Sequence, residues 1–160
     1  MVELFKILQR NGMDVWVCSS SGIDITRAAI DAFGLHDYVT GVLGMTVKLD
    51  GNNEYINSYD YETGRAWMIN EKGNWEKNKK TNIGTVTISE GKVEAINNVI
   101  YPIYGVGPLA SSISSNLGFH MATEYENLKL VVVINRGCSV RDLSRCSVNC
   151  SIQSVLASVE

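Results

Sequence analysis

Ser19 and Lys92 are the residues whose type and setting best suit chemistry. Ser19 directly follows the compact apolar run Met13-Asp14-Val15-Trp16-Val17-Cys18 and precedes a helical pattern that begins at Asp24. In α/β proteins, ligands bind outside the carboxyl end of a strand. A hydroxyl there, backed by Ser20 and by the amides of the Ser20-Ser21-Gly22 turn, suits an anion such as phosphate. Serine also caps helices well, so the same run fits a plain helix start. Lys92 lies near the start of a second helical pattern, after a strand-like piece, where an ammonium can neutralise phosphate as a point charge. An ordinary surface lysine has the same local pattern.

Other chemistries find little support. No Gly-x-Ser-x-Gly, His-Glu-x-x-His, Cys-x-x-Cys or Gly-x-x-x-x-Gly-Lys-Ser/Thr occurs. His36 and His120 are distant in sequence and lack neighbouring ligand patterns, which suits surface or packed residues. Cys146 and Cys150 share a helix face and, with Cys138, would offer a soft metal three thiolates, but no histidine or fourth cysteine stands nearby. Lys72, Lys77, Lys79 and Lys80 are interleaved with Glu71 and Glu76, a solvated mixed-sign face rather than a nucleic-acid patch.

The elements that must position Ser19 and Lys92 follow from periodicity. Residues 2–10 form an amphipathic helix stopped by Asn11-Gly12, and 13–18 a buried strand ending in a Ser19–Gly22 loop. Residues 24–33 form a second helix with a stop at Gly34. Helix, strand, loop, helix is the order of a parallel α/β sheet. Strand-like pieces at 38–49 and 84–89 flank an Asn-, Gly-, Tyr- and Lys-rich stretch, 51–82, that reads as hairpins. Val93, Ile96, Val99 and Ile100 mark a helix over 90–100 that Tyr101-Pro102 closes, and Leu128 to Ile134 is the best buried strand in the chain. Residues 137–160 are rich in Ser and Cys and fit the rest poorly.

With 160 residues, 45% of them apolar, and a net charge of −3, the chain suits one globular domain. No window approaches the roughly 18 unbroken apolar residues of a membrane-spanning helix. The slight acidity argues against nucleic acid and anionic membrane as partners. The start, with Glu3 and a helical pattern, does not read as a secretory signal. Four cysteines, unevenly placed, are too few for a disulfide scaffold, so a reduced compartment, the cytoplasm by default, is expected.

Asp14-Val15-Trp16-Val17-Cys18-Ser19-Ser20-Ser21-Gly22-Ile23-Asp24-Ile25-Thr26-Arg27 resembles the second signature motif of haloacid dehalogenase (HAD) superfamily phosphatases. It looks most like the branch containing phosphoserine and phosphorylcholine phosphatases, where a strand ends in Ser-Ala-Ser before a helix. Glu90-Gly91-Lys92-Val93-Glu94-Ala95-Ile96 is similar to their third motif, and Leu130-Val131-Val132-Val133-Ile134-Asn135-Arg136 to their late strand ending in Asn-Arg. The resemblance spans 2–136 and implies a Rossmann-like, three-layer parallel sheet with a hairpin-rich segment at 36–91, followed by a divergent tail at 137–160. It implies phosphoryl transfer from small phosphorylated metabolites, with an aspartate nucleophile from an Asp-x-Asp motif, a second aspartate as general acid and base, and Mg2+. On it, Ser19, Ser20 and Lys92 map to phosphate binders.

The departures from that pattern are specific. No Asp-x-Asp occurs, so no catalytic residue is intact, and the nucleophile strand and the cap that would precede Val2 are absent from the sequence. The fourth motif falls on Ile113 to Gly118, which puts Ser114 and Gly118 where magnesium would need carboxylates, and Asn116 offers one neutral oxygen. The expectation is therefore a partial HAD-like core, lacking its central first strand, from a longer protein and inactive as this chain. Its sheet would be strained, re-paired or completed by another polypeptide, in a homo-oligomer or with a complementing chain. The alternatives are a non-catalytic phosphate-binding module, a subunit completed by another chain, and a structural remnant without a ligand.

Overall fold

The first helix, α1 (Val2–Arg10), places Glu3 in its first turn and Arg10 in its last, charges that suit the two ends of the helix dipole. It stops as the sequence predicts. Gly12 takes a left-handed φ of 72°, and the amides of Gly12 and Met13 return to the carbonyls of Gln9 and Leu8 at 2.9 and 3.1 Å. This computed structural model describes residues 2–60, 65–82, 86–113 and 119–133. The chain divides between Thr87 and Ile88 into two compact units.

In the first unit, strand β1 (Trp16–Gly22) pairs in parallel with β2 (Gly41–Leu49). The crossover runs through α2 (Ile23–Ala32) and a short 3-10 helix at His36–Tyr38. The predicted grammar is thus present, with one displacement: the strand continues through Ser19, Ser20 and Ser21, and α2 starts directly at Ile23. The register between β1 and β2 shifts between Cys18 and Gly22, where the serines lie. Helix α2 buries Ile23, Thr26 and Ile30. Ile23 and Ile30 join Val39 and Val42 in the core, against which Phe5, Val17, Leu35, Trp67 and Trp75 pack. Gly41 admits the Trp16 indole, since a Cβ there would stand 2.5 Å from the ring.

The hairpins predicted in the middle of the chain are present and join the same sheet. Strand β3 (Tyr55–Asp60) pairs antiparallel with β2, as does β4 (Arg65–Ile69), and β5 (Trp75–Asn82) pairs antiparallel with β4. The sheet order is β1-β2-β4-β5, with β3 also on β2, so this sheet is mixed where the sequence suggested a parallel one. Strands joined by a tight turn run antiparallel of necessity, and only the α2 crossover makes a parallel pair here. Two of the turns share one chemistry. Asp50 Oδ1 accepts the amides of Asn52 and Glu54 at 2.8 and 2.9 Å, and Asn70 Oδ1 accepts those of Lys72 and Asn74, both at 3.0 Å. The fourth residue of each turn, Asn53 (φ 67°) and Gly73 (φ 73°), is left-handed.

In the second unit, α3 (Glu90–Val99) buries Lys92, Ala95, Ile96 and Val99. Helix α3 ends just before Tyr101-Pro102, as the sequence predicts, and a separate short helix α4 (Tyr101–Tyr104) follows, with Pro102 in its first turn, where a missing amide costs little, and Gly105 (φ 71°) at its end. Strand β6 (Ala110–Ile113) pairs in parallel with β7 (Leu130–Val133), and α5 (Phe119–Thr123) lies between them in sequence. Ala122 and Leu128 form a small core with Met121 and Tyr125. The Tyr125 hydroxyl donates to Asn97 Oδ1 at 3.0 Å, tying the segment after α5 to α3. The strand-like reading of 84–89 fails at Thr87 and Ile88, which are bends. The architecture is mixed α/β. Among the described residues, no helix is long and apolar enough to cross a membrane.

Candidate functional site

Ser19 lies near the carboxyl end of β1, with Ser20 beside it and both half-buried. Its hydroxyl oxygen accepts the Ser21 amide at 3.1 Å. Its carbonyl accepts the hydroxyl of Thr87 at 2.5 Å, and Thr87 is fully buried. The strand end that carries the serines is therefore fixed from its backbone by a buried side chain that nothing in the local sequence pattern singled out.

The capping role that the sequence left open for the serines is not taken. Gly22 is the N-cap of α2 and no side chain caps it, while the Gly22 carbonyl accepts the Thr26 hydroxyl at 3.0 Å. Asp24, in the first turn of α2, adds negative charge near that helix start. Arg27 offsets it, with its guanidinium 2.5 Å from Asp24 Oδ1 and stacked 3.5 Å from the Trp67 ring centroid. The Arg27 Nε atom is buried and has no hydrogen-bond partner.

Lys92 belongs to the second unit, in the first turn of α3, and is 7% exposed. It is not the solvated lysine that its sequence context also allowed, and an ammonium so buried is rare in proteins. The residue before the helix, Ser89, holds φ 53°, ψ −123°, a conformation that costs a non-glycine residue energy and occurs disproportionately at functional sites.

Both histidines turn out to be tied to carboxylates. His120 Nε2 lies 3.2 Å from Glu90 and its Nδ1 3.3 Å from Glu124, which connects α5 to the start of α3. Glu90 has its pKa lowered, first by its own backbone amide, then by the Ser89 hydroxyl and by the charge of His120. Glu90, Glu94 and Glu124, with Val93, Asn97 and Asn98, line an open groove of about 420 Å3. Three carboxylates make that groove repel phosphate. His36 meets Asp31, Gly73 and Trp75. Helical spacing would have found the His120–Glu124 pair, but only the fold brings Gly73 and Trp75 to His36.

Among the described residues, no group of three His, Cys, Asp or Glu side chains is placed to hold a metal ion. Ser114, Asn116 and Gly118, the expected counterparts of the fourth motif, lie outside the described residues, as do Asn135, Arg136 and the tail with Cys138, Cys146 and Cys150.

No family model and no curated protein matches the chain. Among solved structures, the crystal structure of a conserved functionally unknown protein from Anaerococcus prevotii DSM 20548 is similar, with a TM-score of 0.61 and 27% identity over 86% of this chain. The chain spans 31% of that protein's length.

Proposed function

We propose that this chain is the phosphate-binding part of a haloacid-dehalogenase-like phosphatase, by kind a hydrolase of small phosphomonoesters such as phosphoserine or phosphorylcholine. As this chain it binds phosphate without cleaving its esters. The observation that carries the reading is Ser19 near the end of a strand that pairs in parallel through a helical crossover, its backbone held by the buried Thr87. A hydroxyl has one proton and two lone pairs. With its oxygen accepting the Ser21 amide, Ser19 retains the proton as a donor for an anion. The burial of Lys92, three residues after the strained Ser89, supports a task for that lysine beyond solubility. On this reading residues 1–136 are a partial core and 137–160 a divergent tail.

Binding without turnover follows from the missing groups. Phosphoester cleavage in this manner needs a carboxylate nucleophile and a positioned acid, and no Asp-x-Asp exists to supply them. Donors that hold phosphate equally in the ground and transition states do not raise a rate. A chain bringing its own nucleophile would complete the site, a role that the absence of the motif favours as the second reading.

The test combines an aryl phosphate assay with thermal unfolding in phosphate. The reading expects no turnover, and a rise in Tm with phosphate that shrinks in Ser19→Ala and Lys92→Met. Turnover by the wild type that Lys92→Met abolishes would refute the inactive half. A wild-type Tm indifferent to phosphate would refute the binding half.

A further inference from the structure

His36 presents both ring nitrogens to groups that only accept. Its Nδ1 lies 2.6 Å from Asp31 Oδ1, and its Nε2 lies 2.8 Å from the Gly73 carbonyl oxygen. A neutral imidazole has one N–H and one lone pair, so it satisfies one of these contacts and aims a lone pair at the oxygen of the other. Only the imidazolium donates to both.

Three elements meet on this ring. Asp31 is in the last turn of α2, His36 opens the 3-10 helix, and Gly73 lies in the turn joining β4 to β5. Trp75, the first residue of β5, completes the cluster. Its indole N–H reaches the two Asp31 carboxylate oxygens at 3.0 and 3.1 Å, and its ring stands edge-on to the imidazole, with 5.2 Å between centroids. Trp75 also packs on the core. The turn that His36 holds thus belongs to the hairpin that closes one side of that core.

We propose that His36 is a pH-responsive pin: its charged form fastens the β4–β5 turn to the end of α2 through both ring nitrogens, and loss of its proton gives up one of the two contacts and loosens that turn. The charged groups that face it are Asp31 from α2 and Asp37 from its own 3-10 helix, and the hairpin presents the neutral Gly73 carbonyl and Trp75 indole. Arg27 acts on Asp31.

The direction of the pH response follows from both partners. The hydrogen bond to Asp31 raises His36 above its ordinary 6.5; burial opposes this, and the Gly73 carbonyl and the charges of Asp31 and Asp37 reinforce it. A raised histidine stabilises fully below 6.5, and its contribution is lost as pH rises through the raised value. For Asp31, burial pulls upward but is outweighed by the hydrogen bonds from His36 and Trp75 and the charges of His36 and Arg27, so the carboxyl sits below 3.8. Its contribution is present above 3.8 and lost as pH falls through the lowered value. The pin is strongest between these limits.

Nitrogen-15 NMR of the full chain across pH tests the proposal, with His120→Gln used to assign the two histidine rings. The expected result is a His36 midpoint above 6.5, with the Trp75 indole N–H and the Gly73 amide moving on the same midpoint. Asp31→Asn lowers that midpoint, and His36→Gln abolishes the pH response of the Trp75 signal. A wild-type midpoint at or below 6.5 overturns the proposal. So do Trp75 and Gly73 signals that stay still while His36 titrates.

Discussion

The Thr87 hydroxyl donates to the Ser19 carbonyl at 2.5 Å, joining residues 68 positions apart at the end of β1. Thr87→Val removes the donor, keeps the shape and leaves a half-buried carbonyl without its partner. A loss of about 1–3 kcal/mol is expected in urea unfolding, the usual cost of orphaning such a group. Thr87→Ser, which keeps the hydroxyl, should retain most of that stability. If the valine and serine variants unfold at the same denaturant concentration, the hydrogen bond is not what holds the strand end.

Gly41→Ala brings a methyl group within 2.5 Å of the Trp16 ring. Strain of this kind costs about 1–3 kcal/mol when the indole cannot move aside. Combining it with Trp16→Leu should give a penalty smaller than the sum of the two single changes. Strict additivity in the double-mutant cycle would mean that the alanine acts on the backbone alone.

Arg27 stacks on Trp67 while holding Asp24. Arg27→Lys keeps the charge but loses the flat guanidinium, so a loss of about 0.5–2 kcal/mol is expected. Trp67→Leu should make the Arg27→Lys change nearly silent. An unchanged penalty in that background would assign the effect to Asp24 instead.

The His36 pin sets the sign of a pH dependence in stability. Relative to His36→Gln, the wild type should hold its advantage below pH 6.5 and lose it as the solution becomes alkaline, because the raised pKa belongs to the folded state. Denaturant midpoints of both proteins at several pH values supply the comparison. A gap that widens toward alkaline pH would reverse the assignment.

Local pattern carried the elements further than it carried the sheet. The helices α1 and α2 and the strand before Ser19 were legible because each has its own apolar period and stop signal, such as Asn11-Gly12 and Gly34. The strand's continuation through the serines was not, since serine is a poor strand former and reads as a loop or cap. It is held there by partners remote in sequence, β2 and Thr87. The hairpins were legible from the Asn- and Gly-rich stretch at 51–82, but the pairing of β4 with β2, which joins the second hairpin to the sheet, is a long-range choice that no local residue encodes. Of the candidate site residues, Lys92 was singled out by type and place alone. Its burial was missed, although Ile96 and Val99, four and seven positions on, share its helix face.

The most direct test of the central claim is calorimetric titration of inorganic phosphate into the wild-type chain and into Ser19→Ala. The account predicts a saturable binding heat in the wild type, weakened in the variant, with no phosphate released when a phosphomonoester replaces phosphate. A wild-type titration indistinguishable from dilution would contradict it.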